Sequence, residues 1–336
     1  MDRRIKISVG GCEDVADIVR ENLRTINAFE ILNSDTLMRS DEDLSAKNLL
    51  KIIKSETFRR SDIIYWVYGR GPSIKNFFPV WIKKNPIIIN HWIGSDILWE
   101  TTDRSKKQRI NPLRKFIQDC IVRWKKKIGG LIDLTTAPWL VTELSALHIK
   151  ATNLPITTID IHKLGPVDIL KIRDIDFFSY IPFRSFEFYG GDKILQLAQR
   201  WQDYKFLIIC VDLDEIPLDF AKKFPENVTI SSKINPVRMS ELYQRSKFFI
   251  RYTQHDAISL SVLESLYFKC HVLWTYDFPY TQKIENQEKL SDSIPALIQN
   301  WHPNENGHAF VLENYSLEKW RENFLEIIKT KTTLLK

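Results

Sequence analysis

No run in this chain of 336 residues approaches the roughly 18 to 20 uninterrupted apolar residues that a membrane-spanning helix needs. The longest greasy runs, such as Phe206 to Val211, have strand length, so a soluble protein is expected. The start, Met1 to Gly11, lacks the continuous apolar stretch of a secretory signal; it alternates Ile5, Ile7 and Val9 and reads as a first strand. Cysteine is scarce, with residues at 12, 120, 210 and 270 that form no C-x-x-C pair and no cluster with histidine. That spacing suggests neither a zinc site nor a disulfide framework, and a reducing cytoplasm fits it best. There is no internal repeat and no low-complexity segment. No basic and aromatic array or base-reading motif is present either, which argues against nucleic acid as a partner.

What is there is enough chain for two domains of ordinary size, with 44% apolar residues to fill a core in each. The net charge of +6 is unevenly spread: Thr101 to Gly130 holds ten Lys or Arg against two Asp, so the remainder is slightly acidic. Within that segment Leu113, Phe116, Ile117, Cys120, Ile121, Trp124 and Ile128 form one helical stripe flanked by basic residues. Such a helix over 113–128 can rest on an anionic membrane surface, or it can place its stripe in a core and solvate a basic face.

Short β-rich runs alternate with helical patterns, as in mostly parallel sheets with helices on both faces. The first series is Ile5 to Val9, Asp62 to Val67, Pro86 to His91 and Gly130 to Thr135. The second is Phe177 to Ile181, Phe206 to Val211, Val228 to Ser231, Phe248 to Tyr252 and His271 to Trp274. Two Rossmann-like α/β domains are therefore expected, over 1–165 and 166–315, with a linker around Gly165-Pro166. Residues 316–336 read as an amphipathic helix, with Leu317, Trp320, Phe324 and Ile328 on one face, that packs on a domain.

The segment Phe248 to Trp274 carries the chemistry. A strand runs into a polar loop, Thr253 to Ile258, and then into a helix that starts near Ser259 or Leu260. The unpaired N–H groups at that helix start would hold a diphosphate. Asp256 and Glu264 stand eight residues apart, and ionised carboxylates accept from the hydroxyls of a ribose or a sugar. Ser261 and Glu264 also fit the S-x-x-E capping box, in which Glu264 would reach back to a backbone N–H instead.

With Asp256, Ser259, Leu260 and Glu264 in these places, the segment resembles the carboxylate-x7-carboxylate motif of retaining glycosyltransferases of the GT-B fold. The resemblance implies two Rossmann-like domains facing across a cleft, with the acceptor on the first domain and the nucleotide-sugar donor on the second. It implies that Glu264 binds the donor ribose and that Asp256 lies against the transferred hexose. Asp stands where the motif usually has its first Glu, and Ala257 and Ser259 replace glycines. Upstream, Phe177 to Lys193 resembles the family's first donor-domain strand and loop, where an Arg and a Lys neutralise the diphosphate without a divalent metal. Arg184 matches the Arg, while the Lys position falls on Tyr189, leaving Lys193 and Arg251 as candidate second cations.

In the first half, Ile87 to Trp99 places His91 at the carboxyl end of a strand and Asp96 in the following Gly-Ser-Asp turn. A histidine so placed is expected to point into the cleft rather than the core, and the resemblance implies roles for both residues near the transferred sugar. Gly10 and Gly11 match the family's glycine-containing first loop. The implied reaction moves a hexosyl group from a nucleoside diphosphate sugar to a hydroxyl of a glycan or lipid-linked acceptor, with retention. It needs no cofactor or metal. A nucleotide-sugar epimerase of the same fold, or a binding protein that has lost turnover, are the alternatives.

Overall fold

The computed structural model describes residues 4–32, 60–68, 87–101, 130–168, 170–210, 212–222, 224–232 and 234–332. The basic stripe expected over 113–128 lies outside the described residues. The chain divides into two compact units, Met1–Thr157 together with Leu317–Lys336, and Thr158–Ser316. No helix among the described residues is long and apolar enough to cross a membrane.

The first unit is built on six parallel strands: β1 (Ile5–Gly11), β2 (Phe29–Ile31), β3 (Ile63–Val67), β4 (Ile87–Trp92), β5 (Leu131–Thr135) and β6 (Thr152–Asn153). Their order in the sheet is β2-β1-β3-β4-β5-β6. Strands β3 and β5 are buried along their whole length, which is why β3 reads as a continuous apolar run rather than as an alternation, while β5 buries Asp133 and Thr135 among its apolar residues. Helices α1 (Glu13–Arg24), α2 (Ser95–Thr101) and α3 (Pro138–Ala146) follow β1, β4 and β5. Ala16, Val19 and Leu23 on α1 enter the core at helical spacing.

The C-terminal helix Leu317–Lys331 belongs to this first unit. Its stripe Trp320, Phe324 and Ile328 is buried in the same core as β1 and β3. Phe324 stacks on Trp320 at 5.1 Å and meets Phe29 at 5.7 Å and Tyr65 at 6.0 Å. The chain thus leaves the first unit at Thr157 and returns to it at Leu317 to complete its core.

The second unit repeats the plan with β7 (Ile175–Ile181), β8 (Phe206–Cys210), β9 (Val228–Ser232), β10 (Ser246–Arg251), β11 (His271–Trp274) and β12 (Thr281–Lys283). These six parallel strands run in the order β12-β11-β10-β7-β8-β9. Its helices are α4 (Ile161–Leu164), α5 (Gly191–Arg200), α6 (Leu218–Ala221), α7 (Pro236–Arg245), α8 (Leu260–Tyr267), α9 (Gln287–Gln299) and α10 (Glu305–Asn314). Register aligns aromatic rings across the three central strands. Phe177 pairs with Phe206 on one side and Phe248 on the other, and its ring stacks on theirs at 4.8 Å and 5.3 Å. Each such contact adds about 0.5–1.5 kcal/mol beyond the area it buries.

The strand order matters for function. From β7 the chain steps outward through β8 to β9, then returns to place β10 on the other side of β7 and steps outward again. Neighbouring connections therefore diverge between β7 and β10, and they leave a crevice outside the carboxyl ends of those two strands, where ligands of such sheets collect.

The strands expected from the sequence are present with ends shifted by a residue or two. Three short strands, β2, β6 and β12, were not anticipated; each is two or three residues long and carries no apolar run.

Candidate functional site

At the divergence point of the second sheet lies a pocket of about 420 Å³. Tyr180 and Pro182 come from the end of β7, and Arg251 from the end of β10. Two helices complete the wall, each with one face. From α7 come Met239, Ser240 and Tyr243, and from α8 come Leu260, Ser261 and Glu264, both sets at the one, three and four spacings of a single helical side. Asn235 caps α7 through a hydrogen bond from the Arg238 N–H, and Pro236 stands in its first turn, so the start of this wall is set by local sequence.

Tyr189, also in the wall, is carried by the loop between β7 and α5. Gly190 follows it at φ 70°, a conformation that side chains with a Cβ avoid. A Cβ at Gly190 would stand 2.2 Å from the Tyr252 carbonyl oxygen, so a glycine here lets the loop lie directly against the chain leaving β10. The Gln254 N–H donates to the Phe188 carbonyl at 3.1 Å and ties the two loops together.

Helix α8 begins at Leu260 after Ser259, whose hydroxyl bonds to that of Ser261 at 2.8 Å rather than capping a backbone N–H. The capping-box arrangement is not formed. Glu264 stands a full turn inside the helix and lines the pocket together with Ser259, Leu260 and Ser261. Protein packs densely around its carboxyl while the pocket leaves part of the residue accessible. Burial pushes this carboxyl up to about 7, against a smaller lowering by the Tyr243 hydroxyl. That hydroxyl is buried beside Glu264, and among the described residues no group meets it in good hydrogen-bond geometry. The pocket thus contains an acid poised near neutrality and an unsatisfied phenol, both of which a ligand's hydroxyls could engage.

Arg251 and Asp256 form a bidentate pair. Arg251 Nε donates to Asp256 Oδ2 at 2.7 Å and Nη2 to Oδ1 at 3.1 Å, with both side chains only 10% exposed. Burial alone would lower the pKa of Arg251, but the charge and hydrogen bonds of Asp256 outweigh it and leave the guanidinium more firmly protonated than usual. The guanidinium also lies 4.8 Å from the centre of the Tyr189 ring. Asp256 Oδ1 accepts from the Ala257 N–H as well, and Asp256 does not line the pocket. Asp256, expected to lie against the transferred hexose, has both carboxylate oxygens paired with Arg251, as a buried carboxylate needs a cationic partner.

The two other expected cations stand elsewhere. Arg184 falls in the short 3-10 turn Phe183–Ser185, where the Asp212 carboxylate accepts from the Phe183 and Arg184 N–H groups. Its side chain is 87% exposed, 3.9 Å from Asp212, and does not line the pocket. Lys193 lies on α5 with its ammonium 3.4 Å from Asp192, also away from the wall.

In the first unit, His91 does not point outward. It is fully buried, because β4 continues one residue past it and is flanked by β3 and β5, with Val67 and Leu134 as its strand partners. Tyr65 Oη lies 2.5 Å from its Nδ1, and burial drops its pKa to about 3, so the ring stays neutral. Asp96 is buried too, and its carboxylate accepts from the Ile93, Gly94 and Ile97 N–H groups at the start of α2. Gly11, at φ 112°, is required by packing, since a Cβ there would meet the Val67 carbonyl oxygen at 1.7 Å. Gly10 is an inner residue of β1 paired with Trp66.

Sequence reasoning had not singled out Tyr180, Met239, Ser240 or Tyr243. The last three had a signal available, since a helix announced by Asn235-Pro236 after a strand turns residues at that spacing toward the sheet's carboxyl end.

No family model matches the chain, and no curated protein sequence matches it. Among solved structures it is similar to a sucrose-phosphate synthase from Thermosynechococcus elongatus, at 12% identity over 97% of this chain and 99% of that one, with a TM-score of 0.68. A glycosyltransferase from Rickettsia africae matches at 11% identity over 98% of this chain and 99% of that one, with a TM-score of 0.67. HepE from Anabaena, determined with UDP-glucose, matches at 10% identity over 97% and 99%, with a TM-score of 0.65. Identities this low speak to architecture, and they agree with the strand orders above: the chain has the α/β fold of the GT-B proteins, with two six-stranded parallel sheets flanked by helices.

Proposed function

We propose that this protein is a glycosyltransferase that takes a nucleoside diphosphate sugar into the pocket of its second unit and transfers the sugar to an acceptor hydroxyl. The observation that carries this reading is the meeting of Glu264, the Tyr243 hydroxyl and the start of α8 around one pocket at the divergence point of the sheet. Glu264, once ionised, accepts from the two hydroxyls of a ribose. The first N–H groups of α8 and its dipole favour the negative charge that grows on the departing diphosphate. HepE, solved with UDP-glucose, makes UDP-sugars the first donors to test. We take the transfer to be retaining, without a metal, and the acceptor to be a glycan or lipid-linked sugar handled at the cytoplasmic face of a membrane.

The test is to incubate the protein with UDP-, GDP-, ADP- and dTDP-sugars, with and without simple sugar acceptors, and to measure free nucleotide and sugar products. Wild type should release nucleoside diphosphate, and Glu264→Ala should lose about two orders of magnitude in kcat/KM, as expected when a buried charged acceptor is removed. Conversion of the sugar with no acceptor present would identify an epimerase instead. Nucleotide binding with no turnover of any donor would leave a binding protein.

A further inference from the structure

Among the described residues that line the pocket, Arg251 alone is cationic. Arg184 and Lys193, the cations expected to meet a diphosphate, both stand outside the lining. Arg251 is well set for such a contact. Its Nε and Nη2 edge is held by Asp256 and its face lies on Tyr189. A guanidinium has five N–H donors in a rigid fork, so a carboxylate on one edge leaves another edge to bind a phosphate oxygen.

We infer that Arg251, fixed in orientation by Asp256 and Tyr189, is the side chain that meets the diphosphate of the bound nucleotide. This rests on the donor-site reading above and assigns within it the charge that the loop after β7 does not bring to the pocket. Asp256 is then a positioning residue for Arg251 rather than a contact to the sugar. Tyr189 supplies the flat surface that keeps the guanidinium from rotating away. This buried cation, in the same wall as the start of α8, attracts the phosphates, while the ribose and base take the remainder of the wall.

The experiment compares a nucleoside with its diphosphate by calorimetry: uridine with UDP, and in parallel guanosine with GDP and adenosine with ADP. Removing only one charge leaves the other buried without its partner, so the informative variant is the double Arg251→Gln/Asp256→Asn, which keeps the shape of the pair and carries no charge. It should bind the diphosphate about 10- to 100-fold more weakly than wild type, with nucleoside affinity unchanged within about twofold. Arg251→Lys, which keeps the charge but not the fork, should fall between them, and it carries the test if the double variant fails to fold. Equal weakening of diphosphate and nucleoside, or no weakening of either, overturns the assignment while leaving the donor site standing. A wild type that binds none of the three diphosphates removes both.

Discussion

Replacing Glu264 by Gln separates the stability of the free protein from its ability to bind a donor, in opposite directions. Burial raises the Glu264 carboxyl from the ordinary 4.5 to about 7. At about 1.36 kcal/mol per pH unit, ionising it in the folded protein costs on the order of 3 kcal/mol. Below pH 4.5 the folded and unfolded chains both hold the proton, and there is no penalty. Between 4.5 and about 7 the unfolded chain has released it and the folded chain has not, so stability falls as pH rises. Above 7 the penalty is complete and constant. A glutamine never ionises, so Glu264→Gln should match wild type near pH 4.5 and be more stable by roughly 3 kcal/mol at pH 8.5, about 6 to 12 °C in melting temperature for a unit of this size. The same substitution removes the ionised acceptor, so UDP-sugar binding should weaken. Thermal melts at pH 4.5, 5.5, 7 and 8.5 on both proteins provide the check. A gap that is equal at all four values, or that widens toward acid, refutes the burial of this carboxyl and with it the argument for a site poised near neutrality.

Gly190→Ala places a Cβ 2.2 Å from the Tyr252 carbonyl and asks an alanine to keep φ 70°. The left-handed backbone alone costs about 1–2 kcal/mol, so urea denaturation should show at least that loss, together with weakened nucleotide binding as the Tyr189 loop lifts; a change below about 0.5 kcal/mol would contradict the close approach. Phe324→Ala should destabilise the first unit by about 3–5 kcal/mol, since the ring is fully buried between Phe29, Tyr65 and Trp320. Denaturant unfolding with proteolysis should show that loss in the first unit while the second keeps its protection.

The sequence by itself determined what depends on periodicity within one segment. Fully buried strands such as Ile63–Val67 and Phe206–Cys210 declare themselves as apolar runs, and the stripe of Trp320, Phe324 and Ile328 declares a packed helix. The start of α8 near Ser259 and the pocket position of Glu264 were legible in the same way, because both follow from a helix phase set by local residues. Edge strands β2, β6 and β12 were not, since two or three residues carry no pattern strong enough to separate them from a loop.

Only the tertiary structure decided where the polar side chains went. His91 is sealed in the sheet because strands distant in sequence flank it, and Asp96 is turned onto the N–H groups of α2. Arg184 stands in solvent, its backbone N–H held by Asp212 from the next strand's end. Asp256 holds Arg251, and Tyr189 lies against that guanidinium from a loop more than sixty residues earlier in the chain. A buried charge must find a partner wherever the fold supplies one. That choice is made among residues brought together across the sheet, and no spacing along a single segment contains it.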